Sequence, residues 1–244
     1  MGSKAKQYDL YKEMQKIRGV YAEFGNVELS TEYVIKTVSE MFDKKDKKIK
    51  LLDIGTNMGT LPHNLRCMTK IEAYGVECRE DAVKRGLSRY PELSGGIRVV
   101  DGSLSFINDS SYDVVTMFDV IEHIPGVDKY IKDQVFRVLR PGGLFIFQTP
   151  NARINPIYEC IRTKSLSAYK SYHCSLQTPG TLRRILVKSG FTDITIEKNN
   201  LDTDFNRKKI SIFAGPLAGA VIAVMDRVPL GIFPNLWGHA KKPG

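Results

Sequence analysis

A chain of 244 residues, 42% hydrophobic and 26% charged, carries enough apolar material for one sizeable core and is neither disordered nor fibrous in composition. Its 36 Lys and Arg against 27 Asp and Glu leave a formal net charge of +9, which admits acidic partners such as nucleic acid, anionic lipid head groups or a phosphorylated substrate and identifies none of them. Cys67, Cys78, Cys160 and Cys174 form neither a C-x-x-C pair nor a zinc spacing, which speaks against a disulfide framework and fits a reducing, cytoplasmic setting.

In chain order, the first 19 residues hold charges but no apolar core of a secretory signal. Tyr8, Tyr11, Met14, Ile17, Tyr21 and Phe24 recur at steps of three and four, which predicts an amphipathic helix over 7–24. Ser30 or Thr31 is the expected cap of a second helix carrying Val34, Val38, Met41 and Phe42, ended by the lysine-rich loop 43–50. Short apolar runs at 49–54, 73–76, 97–100, 113–118 and 144–148 then read as buried strands separated by helical or turn-rich segments. Such a βα alternation makes right-handed parallel crossovers, so the expected architecture is an α/β doubly wound sheet with its ligand site at the strand carboxyl ends. Beyond it come a polar and aromatic insertion at 151–172, a helix over 181–189 closed by Gly190, an alternating strand at 191–197 and a final strand near 236–240. Residues 210–225 are uncharged but short of the ~20 needed to cross a bilayer, and Pro216 interrupts them.

The first predicted strand runs through Leu51, Leu52, Asp53 and Ile54 into Gly55-Thr56-Asn57-Met58-Gly59, with a helix expected from about Leu61. Glycine suits a turn whose backbone approaches a ligand, and N–H groups at a helix start favour anionic or polar partners. The dinucleotide pattern G-x-G-x-x-G fails here, because Asn57 and Thr60 stand at its second and third glycine positions. An acid, one residue, then spaced glycines is instead the pattern of class I S-adenosylmethionine-dependent methyltransferases. Asn57 departs from it, though asparagine is the residue after glycine that best accepts a left-handed conformation.

Further elements follow in the same order: Tyr74-Gly75-Val76-Glu77, Asp101-Gly102, Ser110 to Val115, Phe118 to Pro125, Val138 to Leu144, and Thr149-Pro150-Asn151. Over roughly residues 49–200 the chain resembles the small-molecule methyltransferases related to the ubiquinone-pathway O-methyltransferases. The resemblance implies a seven-stranded, mostly parallel Rossmann-like sheet with helices on both faces and the last strand antiparallel. It also implies a cofactor-binding core at 49–150, helices at 1–45 covering the site, and substrate-side insertions at 151–180 and 201–236 of one domain. S-adenosyl-L-methionine is the implied cofactor, held by Asp53, Gly55, Thr56, Asn57 and Gly59 at the turn. Glu77 with Cys78 would serve the ribose, Asp101, Gly102 and Ser103 the adenine, and Phe118 and Asp119 the end of the fourth strand.

Methyl transfer to a hydroxyl needs approach geometry and a route for the proton. In the ubiquinone-pathway relatives, two acids and a histidine in the pattern E-x-x-E-H bind a divalent metal; here the matching residues are Asp119, Glu122 and His123, the first acid being one methylene shorter. His173 stands where the family often has a further histidine. Two carboxylates and two imidazoles make a site for a divalent metal. Three alternatives stand beside it: His123 or His173 as a general base without metal, Asp119 acting with them, and Glu122-His123 merely capping the helix after the fourth strand.

The acceptor is expected to be a small, lipid-like or glycan hydroxyl compound. An RNA methyltransferase and a non-catalytic cofactor-binding protein stay open as alternatives, the former weakened by basic residues dispersed among 4–18, 44–50, 183–188 and 207–209. Tyr8, Tyr11, Tyr21, Tyr158, Tyr169 and Tyr172 are aromatic faces suited to a sulfonium or to ordinary helix packing. Segment 207–237 pairs a basic start with an apolar body, as in a peripheral membrane contact, a buried helix or a homodimer surface.

Overall fold

Strands covered on both faces show no polar alternation, and the centre of the sheet obeys this: Leu51 to Ile54 of β1 (Lys50–Ile54) and Tyr112 to Met117 of β4 (Tyr112–Phe118) are all buried. The structure is a computed structural model and describes residues 27–42, 48–157, 173–198, 215–227, 229–230 and 233–244. The helix expected at 7–24, the six tyrosines named above and the basic cluster 207–209 lie outside these residues.

After helix α1 (27–41) and β1 come α2 (Thr60–Met68), β2 (Glu72–Glu77), α3 (Glu80–Arg89), β3 (Ile97–Val99) and β4. Then follow α4 (Val127–Tyr130), which runs into a wider turn over Ile131–Phe136, β5 (Leu139–Pro150), α5 (Pro179–Lys188), β6 (Thr192–Glu197), α6 (Ala218–Asp226) and β7 (Asn235–Lys241). The strands form one sheet in the order β3-β2-β1-β4-β5-β7-β6. All neighbours are parallel except β7, which is antiparallel to both β5 and β6. The doubly wound architecture with an antiparallel last strand is therefore present.

Alternate residues of the central strands feed two cores. Leu52, Ile54, Val115, Met117, Phe145 and Phe147 face Ile131 and Val135 beyond α4 and Leu182 and Leu186 of α5. Leu51, Val114, Leu144 and Ile146 face Val34 and Val38 of α1 and Leu61 and Leu65 of α2. Each fully buried Leu or Phe contributes about 1.5–3 kcal/mol. Trp237 joins this second core edge-on to Tyr33, with ring centroids 5.2 Å apart, and the Tyr33 hydroxyl donates to Glu197 at 2.7 Å, so α1 is fastened to both β6 and β7.

Three sequence expectations need correction. Ser30 and Thr31 are buried inside α1 rather than capping it, and the Thr31 hydroxyl donates back to the Val27 carbonyl at 2.6 Å; the apolar repeat hid a start at least one turn earlier. Helix α5 begins at Pro179, not Thr181, because Thr178 caps it and exchanges hydrogen bonds with Thr181, a capping box in which threonine takes the place usual for Glu or Gln. The run at 97–100 is an edge strand, with Arg98 and Val99 exposed, because no strand lies beyond β3 in the sheet. Among the described residues, no helix is long and apolar enough to cross a membrane.

Candidate active site

Parallel strands deliver their carboxyl ends to one edge, and the residues expected after β1, β2, β3 and β4 arrive there by topology. At the end of β1, Gly55 and Gly59 both take φ +77° and Asn57 takes φ +52°. The left-handed asparagine is thus tolerated as its short amide side chain predicts; its Oδ1 accepts from Arg79 Nη2 at 2.8 Å. A Cβ on Gly55 would stand 2.3 Å from Val120 Cγ2, so the turn is closed against the loop following β4.

Glu77 ends β2 and is buried. Its Oε2 accepts the Asn57 N–H at 2.9 Å, while Oε1 accepts the Arg79 N–H at 3.0 Å and the weaker Cys78 thiol at 3.3 Å. A carboxylate offers about four lone-pair sites. One on Oε2 is left over, and a second is exchangeable with the thiol, which is the number a vicinal diol asks for. Asp101 follows β3, exposed, its Oδ1 accepting the Ser103 N–H at 2.9 Å beside Gly102 at φ +96°. This donor and acceptor set fits S-adenosylmethionine, which Glu77 would hold at the ribose, Asp101 and Ser103 at the base, and the 55–59 backbone at the amino-acid end.

Asp53 and Thr56 face inward instead. Asp53 is buried and accepts from the Thr116 hydroxyl at 2.7 Å. Burial pushes its carboxyl up to about 7 and the Glu77 charge adds to this, opposed by the Thr116 hydroxyl and, more weakly, by Thr56. The Thr56 hydroxyl is buried without a full hydrogen bond. It packs where a Cβ on Gly75 would stand 2.6 Å away, so what Thr56 presents at the turn is its backbone. A carboxyl that is 3.8 in the unfolded chain and about 7 in the fold takes up a proton on folding within that window. Its contribution to stability is therefore greatest at low pH, falls as pH rises from about 4 to 7, and is level above. Asp53→Asn should flatten this slope in melting temperature against pH; an unchanged slope would show that another group carries it.

The second half of the site follows β4. Asp119, at φ +53°, exchanges hydrogen bonds with the Gln148 side chain: its N–H donates to Oε1 at 3.1 Å and its Oδ1 accepts from Nε2 at 2.9 Å. Phe118 packs against Trp237 at 5.7 Å between centroids. Glu122 lies in a single turn, Ile121–His123, and is 1% exposed. Its Oε2 accepts from the Thr149 hydroxyl at 3.0 Å. Burial, with the neighbouring Asp119 charge second, pushes the Glu122 carboxyl up to about 8. Helix α4 starts later, behind Gly126, with no side-chain cap, so Glu122-His123 does not cap it.

His173 reaches this turn although 50 residues separate it from His123. The Glu122 carbonyl accepts the Ser175 N–H at 3.0 Å and lies 3.8 Å from the Cys174 thiol. That contact sets the His173 ring 5.0 Å from the His123 ring. Glu122, His123 and His173 each bring one ligand-capable atom within 4.8 Å of the others. Asp119, expected with them, stands outside that group. The His173 Nδ1 lies 2.9 Å from Asn155 Oδ1; an amide oxygen only accepts, so Nδ1 is the donor in this pair. Glu122 Oε1 lies 3.8 Å from His123 Nε2.

Gln148, Thr149 and Asn155 were not anticipated. Thr149 was within reach of sequence reasoning, since it ends a buried strand whose last polar residues face the site, but Asn155 carried no such signal. A separate cleft of about 290 Å³, lined by Lys50, Tyr74, Arg98 and Tyr112 among others, opens at the opposite, amino edge of the sheet and does not belong to this site.

A family model described as a methyltransferase domain matches residues 24–196. A probable S-adenosylmethionine-dependent methyltransferase of Mycobacterium tuberculosis is 28% identical over 157 residues, covering 60% of this chain and 50% of that protein. A ubiquinone biosynthesis O-methyltransferase of a Shewanella species is 25% identical over 143 residues, covering 54% and 55%. The chain thus spans about half the length of these curated relatives. Among solved structures, a SAM-dependent methyltransferase from Archaeoglobus fulgidus superposes with a TM-score of 0.60 at 18% identity, covering 91% of this chain and 98% of that one. The phosphoethanolamine N-methyltransferase 2 of Haemonchus contortus, bound to S-adenosyl-L-methionine, does so with a TM-score of 0.64 at 18% identity, covering 88% and 52%. At these identities the structures show the fold, and the family model carries the assignment further: this chain belongs to the methyltransferase-domain family, within the class I S-adenosylmethionine-dependent methyltransferases.

Proposed function

We propose that the chain methylates a hydroxyl oxygen on a small, lipid-like or glycan acceptor, with His173 taking the hydroxyl proton. The observation that supports this most is the meeting of His173 with His123 and Glu122 at the carboxyl edge that also holds Glu77 and the 55–59 turn. When bound, S-adenosylmethionine supplies an electrophilic methyl group for an in-line displacement. The chain's own part is to orient and to manage the proton. Glu77 accepts the ribose hydroxyls, and Asp101 and Ser103 flank the base. At His173 the Asn155 amide orients the ring through Nδ1, and Nε2 is the atom that takes the acceptor proton. His123, 46% exposed at its side chain, is the second candidate for the same step.

The cluster also supports a divalent-metal reading, in which Glu122, His123 and His173 are the ligands and the metal lowers the pKa of the acceptor hydroxyl. Glu122 must then be ionised, which its burial opposes.

The test is methyl transfer from labelled S-adenosylmethionine to a panel of phenolic, polyprenyl and sugar hydroxyls. His173→Ala should lower kcat by about 10²–10⁴-fold while S-adenosylhomocysteine still raises the melting temperature. Undiminished turnover in that variant removes His173 as the base. Full turnover in excess chelator removes the metal reading, whereas loss restored by one added divalent cation favours it.

A further inference from the structure

We infer that helix α6 docks the protein onto an anionic lipid surface. The inference rests on the reading of a lipid-like acceptor, and it adds where that acceptor is met. Helix α6 (Ala218–Asp226) and the turn Gly215–Leu217 before it hold no charge until Asp226. Leu217, Val221 and Val224, spaced to fall on one face, are 68%, 37% and 65% exposed. Gly219, Ala220 and Ala223 are exposed as well. A nine-residue helix gains little stability in water from propensity alone and ordinarily depends on burying an apolar face. Among the described apolar side chains here, Leu217 and Val224 stay about two-thirds exposed and Val221 is partly covered.

Charge names the occupant. From residue 205 to the last residue, Asp226 is the one acid, and Arg207, Lys208, Lys209 and Arg227 bracket the apolar run. An uncharged, apolar helix whose run is flanked in sequence by cations matches the border between acyl chains and anionic head groups, and at about 13 Å it is too short to do more than lie in that border.

The position of the helix gives the contact its use. Asn151, at the end of β5, donates its side-chain amide to the Phe233 carbonyl at 2.8 Å and to the Leu230 carbonyl at 3.4 Å, and its N–H to the Pro234 carbonyl at 2.8 Å. Phe233 is buried beneath. The segment following α6 is therefore pinned at the carboxyl edge, beside Asn155 and His173, so a surface that holds α6 lies on the side of the sheet where the acceptor must enter.

The experiment is co-sedimentation of the full chain with vesicles of equal parts phosphatidylcholine and phosphatidylglycerol, and with vesicles of phosphatidylcholine alone. Binding to the mixed vesicles is expected, weakened by salt and reduced at least about tenfold by the Val221→Asp, Val224→Asp double substitution. Both positions are exposed, so the variant keeps its fold, and an unchanged melting temperature verifies it. The proposal is overturned if the wild type stays in solution, binds both vesicles equally, or loses nothing in the variant. It is overturned equally if sedimentation velocity shows a lipid-independent dimer that the variant splits, since α6 then covers a second copy. Stabilisation by S-adenosylhomocysteine is measured in parallel on both proteins. Its absence sinks the methyl-transfer reading while leaving the vesicle result to stand by itself.

Discussion

Glu77→Ala should weaken S-adenosylhomocysteine binding by about a hundredfold or more, the largest effect expected of a single side chain in the proposed cofactor half of the site. The carboxylate is buried and immobilised by two backbone N–H groups, those of Asn57 and Arg79. It would therefore meet a ribose diol without losing side-chain entropy at that moment. Hydrogen bonds to a charged group contribute about 1.5–3 kcal/mol each. Losing them, and leaving the Asn57 N–H without its acceptor, should raise Kd by about a hundredfold or more. Glu77→Gln keeps one acceptor oxygen and should fall between. Calorimetric titration decides it: a Kd for the alanine variant within tenfold of wild type would place the ribose elsewhere.

Gly86→Ala is the second. In a solvent-exposed helix interior this substitution stabilises by about 1 kcal/mol, because alanine is the better helix former. Within α3 the sign reverses. A Cβ at residue 86 would stand 2.3 Å from the Met58 carbonyl oxygen and 2.8 Å from its carbonyl carbon. These are backbone atoms of the 55–59 turn, which can yield only by moving the turn. Overpacking of that kind costs about 3 kcal/mol or more, so the net change is a loss of about 2 kcal/mol, or roughly 4–8 °C in melting temperature. S-adenosylhomocysteine affinity should fall with it, since the displaced atoms belong to the cofactor turn. Gly219→Ala in α6 is the control: nothing lies within 4 Å of its added Cβ, and it should be neutral or mildly stabilising. A Gly86→Ala protein as stable as wild type would mean that α3 rides free of the turn.

The two predictions separate what was legible in the sequence from what was not. Glu77 was found by its place at the end of an apolar run, because strand ends are local and a parallel sheet carries all of them to one edge. Gly86 gave no sign, since one glycine within a helical pattern looks the same whether it faces water or a carbonyl from 28 positions earlier. The edge strand at 97–99 was misjudged for a related reason: apolar content identifies a strand, but exposure depends on whether another strand lies beyond it.

The sequence by itself determined the succession of strands, the left-handed turn at Gly55, Asn57 and Gly59, and the acids at the ends of β2 and β3, because hydrophobic runs and backbone preferences act over a few residues. Tertiary structure alone decided the company kept at the end of β4. Of the two acids and two histidines expected together, Asp119 went to the Gln148 amide and Glu122 to the Thr149 hydroxyl. His173 was drawn in because the next residues bond the Glu122 carbonyl. Such choices depend on which polar groups are left without water once the sheet has closed, and no spacing along the chain records them.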